Sequence, residues 1–226
     1  MRLQYLKKAV KTMLKFLKRH TLAAALILTL ITAFAVLAIS AEMDAREIRD
    51  SVLRFHIVAN SNSEDDQLNK MKVREGIAAL TGELFSGAGS KAQAMALASD
   101  NLDALSARAG EILSQNGCSL PVTVEVRKRF FPTKEYAGVT LPAGVYDAID
   151  LRIGAAEGEN FWCVMFPPIC IGAAADTDDA EQNRSQMAMV LEGDSLDMAT
   201  GSSSPKIQLK FKVVEFFQQL FHNVHI

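Results

Sequence analysis

The stretch Leu53-Arg54-Phe55-His56-Ile57-Val58-Ala59-Asn60-Ser61-Asn62-Ser63-Glu64-Asp65-Asp66 decides how the chain is read. Phe55, Ile57 and Ala59 alternate with His56 and Val58, and β-branched and aromatic residues dominate, which predicts a strand. Asn60-Ser61-Asn62 stops it. Ser63 followed three residues later by Asp66 reads as a helix cap, and Glu64, Asp65 and Asp66 sit where the positive end of a helix favours acids. A strand, a tight polar turn and a helix are thus written in 14 residues.

Working toward the C-terminus, Leu68, Met71, Val73, Ile77, Ala78, Leu80 and Leu84 carry the helix to Phe85, and Ser86-Gly87-Ala88-Gly89-Ser90 breaks it. A second helical region is predicted from Lys91 to Gln115, interrupted near Ser99-Asp100 and ended by Asn116-Gly117. Val122 to Arg127 alternates as a strand that ends at Phe130-Phe131-Pro132, and Val145 to Ile153 is the next. Phe161-Trp162-Cys163-Val164-Met165-Phe166 is a nearly continuous apolar run, which predicts a central strand buried on both faces. The order β-α-α-β-β-β predicts an α+β domain, with a mostly antiparallel sheet and helices packed on it. Residues 172–205 hold seven acids and one base among many Ala, Ser and Gly, and read as an acidic flexible linker with a helical piece at 186–191. Residues 206–226 return to an amphipathic helix, with Phe211, Val214, Phe217 and Leu220 at helical spacing.

Working toward the N-terminus, Met43 to Ser51 reads as a short polar helix or linker. Before it, Thr21 to Ala41 is 21 residues without a charge. As a helix it spans roughly 31 Å, about the thickness of a bilayer core. Seven bases and no acid precede Glu42, leaving 17 bases against all 26 acids in the rest of the chain. A basic tip at 1–20, an apolar run at 21–41 and an acidic body starting at 42 predict that the tip stays in the cytosol and the body is exported. Two readings of the run stay open: an uncleaved anchor, which its length favours, and a signal peptide cut after Ala38-Ile39-Ser40.

The charge balance, 24 bases to 26 acids, gives no sign of a nucleic-acid binder. Nothing in the chain predicts a cofactor or a small-molecule substrate. His222 and His225 could share one side of a helix toward a metal, but would need further ligands, and no Cys/His cluster of the zinc type occurs. Cys163 and Cys170 flank a bend forced by Pro167 and Pro168. In an exported domain they are a disulfide candidate that would leave Cys118 free; the alternative is two buried thiols.

His56, Asn60, Ser61, Asp65 and Asp66 concentrate polar groups around one turn. A hydrolytic site could use His56 as base with Ser61 or Cys163 as nucleophile. Against it, no Gly-x-Ser-x-Gly elbow is present, and strand-stopping and capping account for the same residues. The other reading gives Arg54, His56, Asn60, Ser61 and Trp162 to recognition of a protein partner, since aromatic and arginine anchors dominate many interfaces. A passive structural role in the envelope is the third.

Several segments in order resemble the stage II sporulation protein R family of endospore-forming bacteria: residues 53–61, Asp66-Gln67, Lys70-x-Lys72-Val73-Arg74, Phe131-Pro132-Thr133-Lys134-x-Tyr136, Leu141-Pro142-Ala143-Gly144-x-Tyr146, and Asn160 to Cys170. The resemblance spans about 50–171 and the Lys- and Phe-rich end at 206–221. Asn62 and Glu75 stand where Asp is expected, and Phe161 where Trp is expected. The resemblance implies a signal made in the forespore and exported into the space between two membranes. There it would trigger a membrane-embedded aspartic protease that processes a mother-cell sigma-factor precursor. It implies no catalytic residues.

Overall fold

The computed structural model describes residues 2–169 and 179–201. Its first element, α1 (Arg2–Ser51), is one unbroken helix. Within it Lys18–Ser51 includes a stretch long and apolar enough to cross a membrane, as a signal sequence or an anchor would. Its hydroxyls bond back to the helix: Thr29 donates to the Ala25 carbonyl at 2.8 Å, and Thr32 to that of Thr29 at 2.9 Å. These two hydroxyls therefore need no water, as a bilayer interior requires.

The segment from Met43 to Ser51, read as a short polar helix or linker, is helical, as the last part of this same helix. Ala41, Ala45 and Ile48 recur at helical spacing and are fully buried, with Val52 just beyond. Small residues on that face let the helix lie close to the domain, and Arg46 and Glu47 stay exposed on the outer side. Lys91 fastens the end by donating to the Arg49 carbonyl at 3.0 Å. Arg49 lies against Gly144, where any Cβ would meet its Cδ at 2.6 Å.

The chain continues as β1 (Leu53–Val58), α2 (Glu64–Leu84), α3 (Lys91–Asp100), α4 (Leu102–Gln115), β2 (Val122–Phe131), β3 (Lys134–Tyr136), β4 (Val139–Leu141), β5 (Gly144–Ile153), β6 (Asn160–Phe166), α5 (Asp179–Met187) and α6 (Gly193–Ala199). The predicted cap is present: the Ser63 side chain accepts from the Asp66 N–H at 3.3 Å. The expected break in the second helical region falls at Asn101, which closes α3 and opens α4.

The fold is α+β, as the alternation of strands and helices predicts. Its four-stranded sheet has the order β2-β5-β1-β6, and β3-β4 forms a small hairpin. β1 runs parallel to β5, and the other pairs are antiparallel. In place of a central strand, β6 lies at the end of this order and pairs with β1. Its apolar run reflects a strand whose second half, Cys163 to Phe166, is covered on both faces. β1 is an inner strand, beside β5, and all six of its residues are buried.

Two cores flank the sheet. Leu53, Phe55, Ile57, Ile149, Leu151, Cys163 and Met165 face α2, α3 and α4. Tyr146, Ala148, Val164 and Phe131 face the end of α1, the hairpin and the helices after residue 178. The stretch expected to be a flexible linker supplies part of this second layer. Met187, Leu191, Met198 and Ala199 are buried, and Asn183 Nδ2 donates to the Ala137 carbonyl at 2.9 Å. An acid-rich average hid a few well-spaced apolar residues. The expected helix at 206–226, with His222 and His225, lies outside the described residues, as does Cys170.

Candidate functional site

Strand alternation sends Arg54 and His56 to the face opposite Phe55 and Ile57. Register then sets His56 beside Asp150 of β5 and Trp162 of β6, and Asp150 beside Glu125 of β2. One row therefore crosses all four strands: Glu125, Asp150, His56, Trp162.

The His56 and Asp150 side chains are both 0% exposed and hydrogen-bond to each other through Nδ1. His56 Nε2 lies 2.7 Å from Asn160 Oδ1. The Trp162 ring covers the imidazole at 4.2 Å, and Phe131 meets it edge-on at 6.3 Å. Arg129 Nη1 donates to both Asp150 oxygens at 3.1 and 3.2 Å. Arg152 donates to Oδ2 from Nε at 3.1 Å and Nη2 at 2.8 Å, and Arg127 stands 3.7 Å away. Burial pushes the Asp150 carboxyl upward. The His56 hydrogen bond, the Arg129 charge and the Arg152 hydrogen bond outweigh it and hold the pKa at about 2.

Behind this row, Arg54 is completely buried. Nε donates to the Cys163 carbonyl at 2.8 Å, and Nη2 to the Tyr136 hydroxyl at 2.7 Å. Nη1 has no hydrogen-bond partner among the described residues. The guanidinium lies 4.3 Å from the Phe131 ring centre and 4.9 Å from that of Tyr146, so aromatic faces offset part of the cost of a buried cation. The Tyr136 hydroxyl donates onward to the Trp162 carbonyl at 3.2 Å, so Arg54 braces the strand that carries the indole.

Asn60 and Ser61 belong to a different cluster. Asn60 Nδ2 and the Ser61 hydroxyl both donate to Asp66 Oδ2, at 2.9 and 2.5 Å. Those two bonds, Ser61's foremost, hold the Asp66 carboxyl below the usual range. Asn60 Oδ1 accepts from the Ala155 N–H at 2.9 Å. The turn after β1 is thereby clamped to the loop between β5 and β6.

The structure thus brings together Arg54, His56 and Trp162, with Arg54 and His56 out of reach of any partner and Trp162 half-buried. Ser61 spends its hydroxyl on Asp66 rather than on His56. Cys163 packs in the core on the other side of the sheet from His56 and is disulfide-bonded; Cys118 is free. Neither nucleophile of the hydrolytic reading meets its base. Sequence reasoning missed Asp150, Arg127, Arg129, Arg152 and Asn160. Their signal was parity: Glu125, Arg127 and Arg129, and Asp150 and Arg152, repeat at every second residue of predicted strands.

This is an α+β domain led into by a helix long and apolar enough to serve as a signal sequence or a membrane anchor. The comparisons give it a lineage. The chain belongs to the stage II sporulation protein R family, whose model matches residues 49–176. It is 30% identical to the stage II sporulation protein R of Bacillus subtilis (strain 168), over 77% of this chain and 83% of that protein. No solved structure matches it. Membership gives the chain a role in sporulation.

Proposed function

We propose that this protein is an exported intercellular signal of sporulation. It works by binding a membrane-embedded aspartic protease and thereby starts processing of a mother-cell sigma-factor precursor. The observation that carries the reading, together with the family, is the pairing of the polar residues. His56 is sealed between Asp150, Asn160 and Trp162, and Ser61 is committed to Asp66. The chemistry expected of a hydrolase has no free base, whereas a rigid sheet face with a half-exposed indole suits a ligand. The basic tip before the apolar part of α1 supports export of the domain through the forespore membrane.

A ligand activates only by preferring the active arrangement of its target. Moving a 1:99 equilibrium to 99:1 takes roughly 5.5 kcal/mol of preference, so several contacts share it. The test supplies the full-length chain in vesicles to membranes that hold the protease and the sigma-factor precursor. Its domain must face the protease's extracytoplasmic side. Cleavage of the precursor is expected only when the chain is present, and Ser61→Ala should still start it. A chain that neither co-purifies with the protease nor starts cleavage overturns the reading.

A further inference from the structure

The arginines around Asp150 outnumber the carboxylates they meet. Asp150 and Glu125 face Arg127, Arg129 and Arg152, and Arg54 lies behind them without a carboxylate. The Asp150 oxygens are already filled by His56, Arg129 and Arg152. Arg129 uses only Nη1, and Arg127 only Nη1, toward Glu125 at 2.8 Å. Their Nε and Nη2 groups carry no hydrogen bond among the described residues. These side chains are open to solvent, 41% for Arg127, 26% for Arg129 and 35% for Arg152. Arg129 also lies 5.9 Å from the Trp162 ring centre. Unspent guanidinium forks, held in place by a buried carboxylate and set beside an indole, form a prepared surface.

We propose that the Arg127–Arg129–Arg152 face, with Trp162 and Asn160 at its edge, is the docking surface of this domain, and that its occupant is an acidic extracytoplasmic segment of the membrane protease. The inference rests on the functional reading above and names the surface and the chemistry of the contact. A fixed guanidinium fork matches a planar carboxylate through two parallel hydrogen bonds. Trp and Arg are the residues that most often carry interface energy. A polypeptide suits the face better than an anionic bilayer does. Glu125, 43% exposed, sits among the arginines and would repel a continuous sheet of negative charge, while a peptide can place its carboxylates to either side.

The test uses the full-length chain with a benzophenone amino acid at Thr123, an exposed position in register with Arg152 and beside Glu125. A control chain carries it at Arg108 on α4. Both are irradiated with protease-containing membranes, and the adducts are sequenced. An adduct from position 123 to an acidic segment of the protease is expected, with none at 108. Arg127→Glu, whose side chain is not part of either core, should still fold, with a melting temperature lowered by the lost Glu125 pair and the added anion near Asp150, and should weaken co-purification about tenfold. Raising the salt should weaken the parent chain more than the variant, which keeps Arg129 and Arg152. Adducts at 123 to lipid or to a second copy of the chain overturn the proposal. So does an unchanged Arg127→Glu. If position 108 alone reacts while cleavage still starts, the surface is wrong and the signalling reading stands. If neither reacts and cleavage does not start, both fall.

Discussion

Asp150 is held ionised by three donors at once, His56, Arg129 and Arg152, and this ties the stability of the domain to acid. Its folded pKa of about 2 lies below the ordinary 3.8. A depressed carboxyl stabilises the fold above its unfolded value and loses that contribution as the pH falls through its folded value. The difference corresponds to about 2 kcal/mol, fully present above pH 3.8 and lost toward pH 2. Asp150→Asn should remove this acid limb, because Asn cannot titrate. It should also cost about 3 kcal/mol at neutral pH, since His56, Arg129 and Arg152 lose a shared anion. Denaturant unfolding of the full-length chain in detergent, repeated from pH 7 to pH 2, reads both. An unchanged acid limb in the variant would place the pH dependence on other carboxyls.

At the scale of elements, the clamp between the β1–α2 turn and the β5–β6 loop is the most exposed to a direct check. Gly154 has φ +56°, and an added Cβ would sit 2.2 Å from Asn60 Oδ1. Gly154→Ala should therefore cost about 1–3 kcal/mol from backbone strain and collision. Asn60→Ala should cost about 1–2 kcal/mol by leaving the Ala155 N–H and Asp66 short of a partner. With both changes the collision disappears, so the double variant should be less destabilised than the two losses together. Strict additivity in the melting of the four proteins would show that the two residues do not meet. The capped turn itself was legible in sequence because Ser63 and Asp66 act within four residues. The polar row was not. His56 and Asp150 are 94 positions apart, and His56 and Asn160 are 104 apart. Only strand register makes them neighbours. Alternation in β1 predicts a strand, but not that Arg54 and His56 face a second core and find their partners there. The position of β6 was misread for a related reason: an apolar run reports coverage of its faces, not its place in the sheet.

For the whole molecule, what counts is how α1 meets the domain. The uncharged run ends at Ala41, and the first fully buried core residue is also Ala41. No slack lies between the part that suits a bilayer and the part that is folded into the domain. While that helix is intact, the domain has no tether: it stands on its own membrane like a stud. A body of about 150 residues is roughly 40 Å across, which sets its reach toward anything opposite. A cut after Ser40 would take nothing from either core and would turn a fixed emitter into a diffusing one. On the proposed signalling role, toward a facing membrane, the released form has the longer range. Inserting 20 Gly and Ser residues between Ser40 and Ala41 would add about 25 Å of play to an attached domain and nothing useful to a free one. The expected outcome is unchanged precursor cleavage in sporulating cells, with the domain recovered from the soluble fraction; cleavage that climbs with insert length would show that the attached form is the sender.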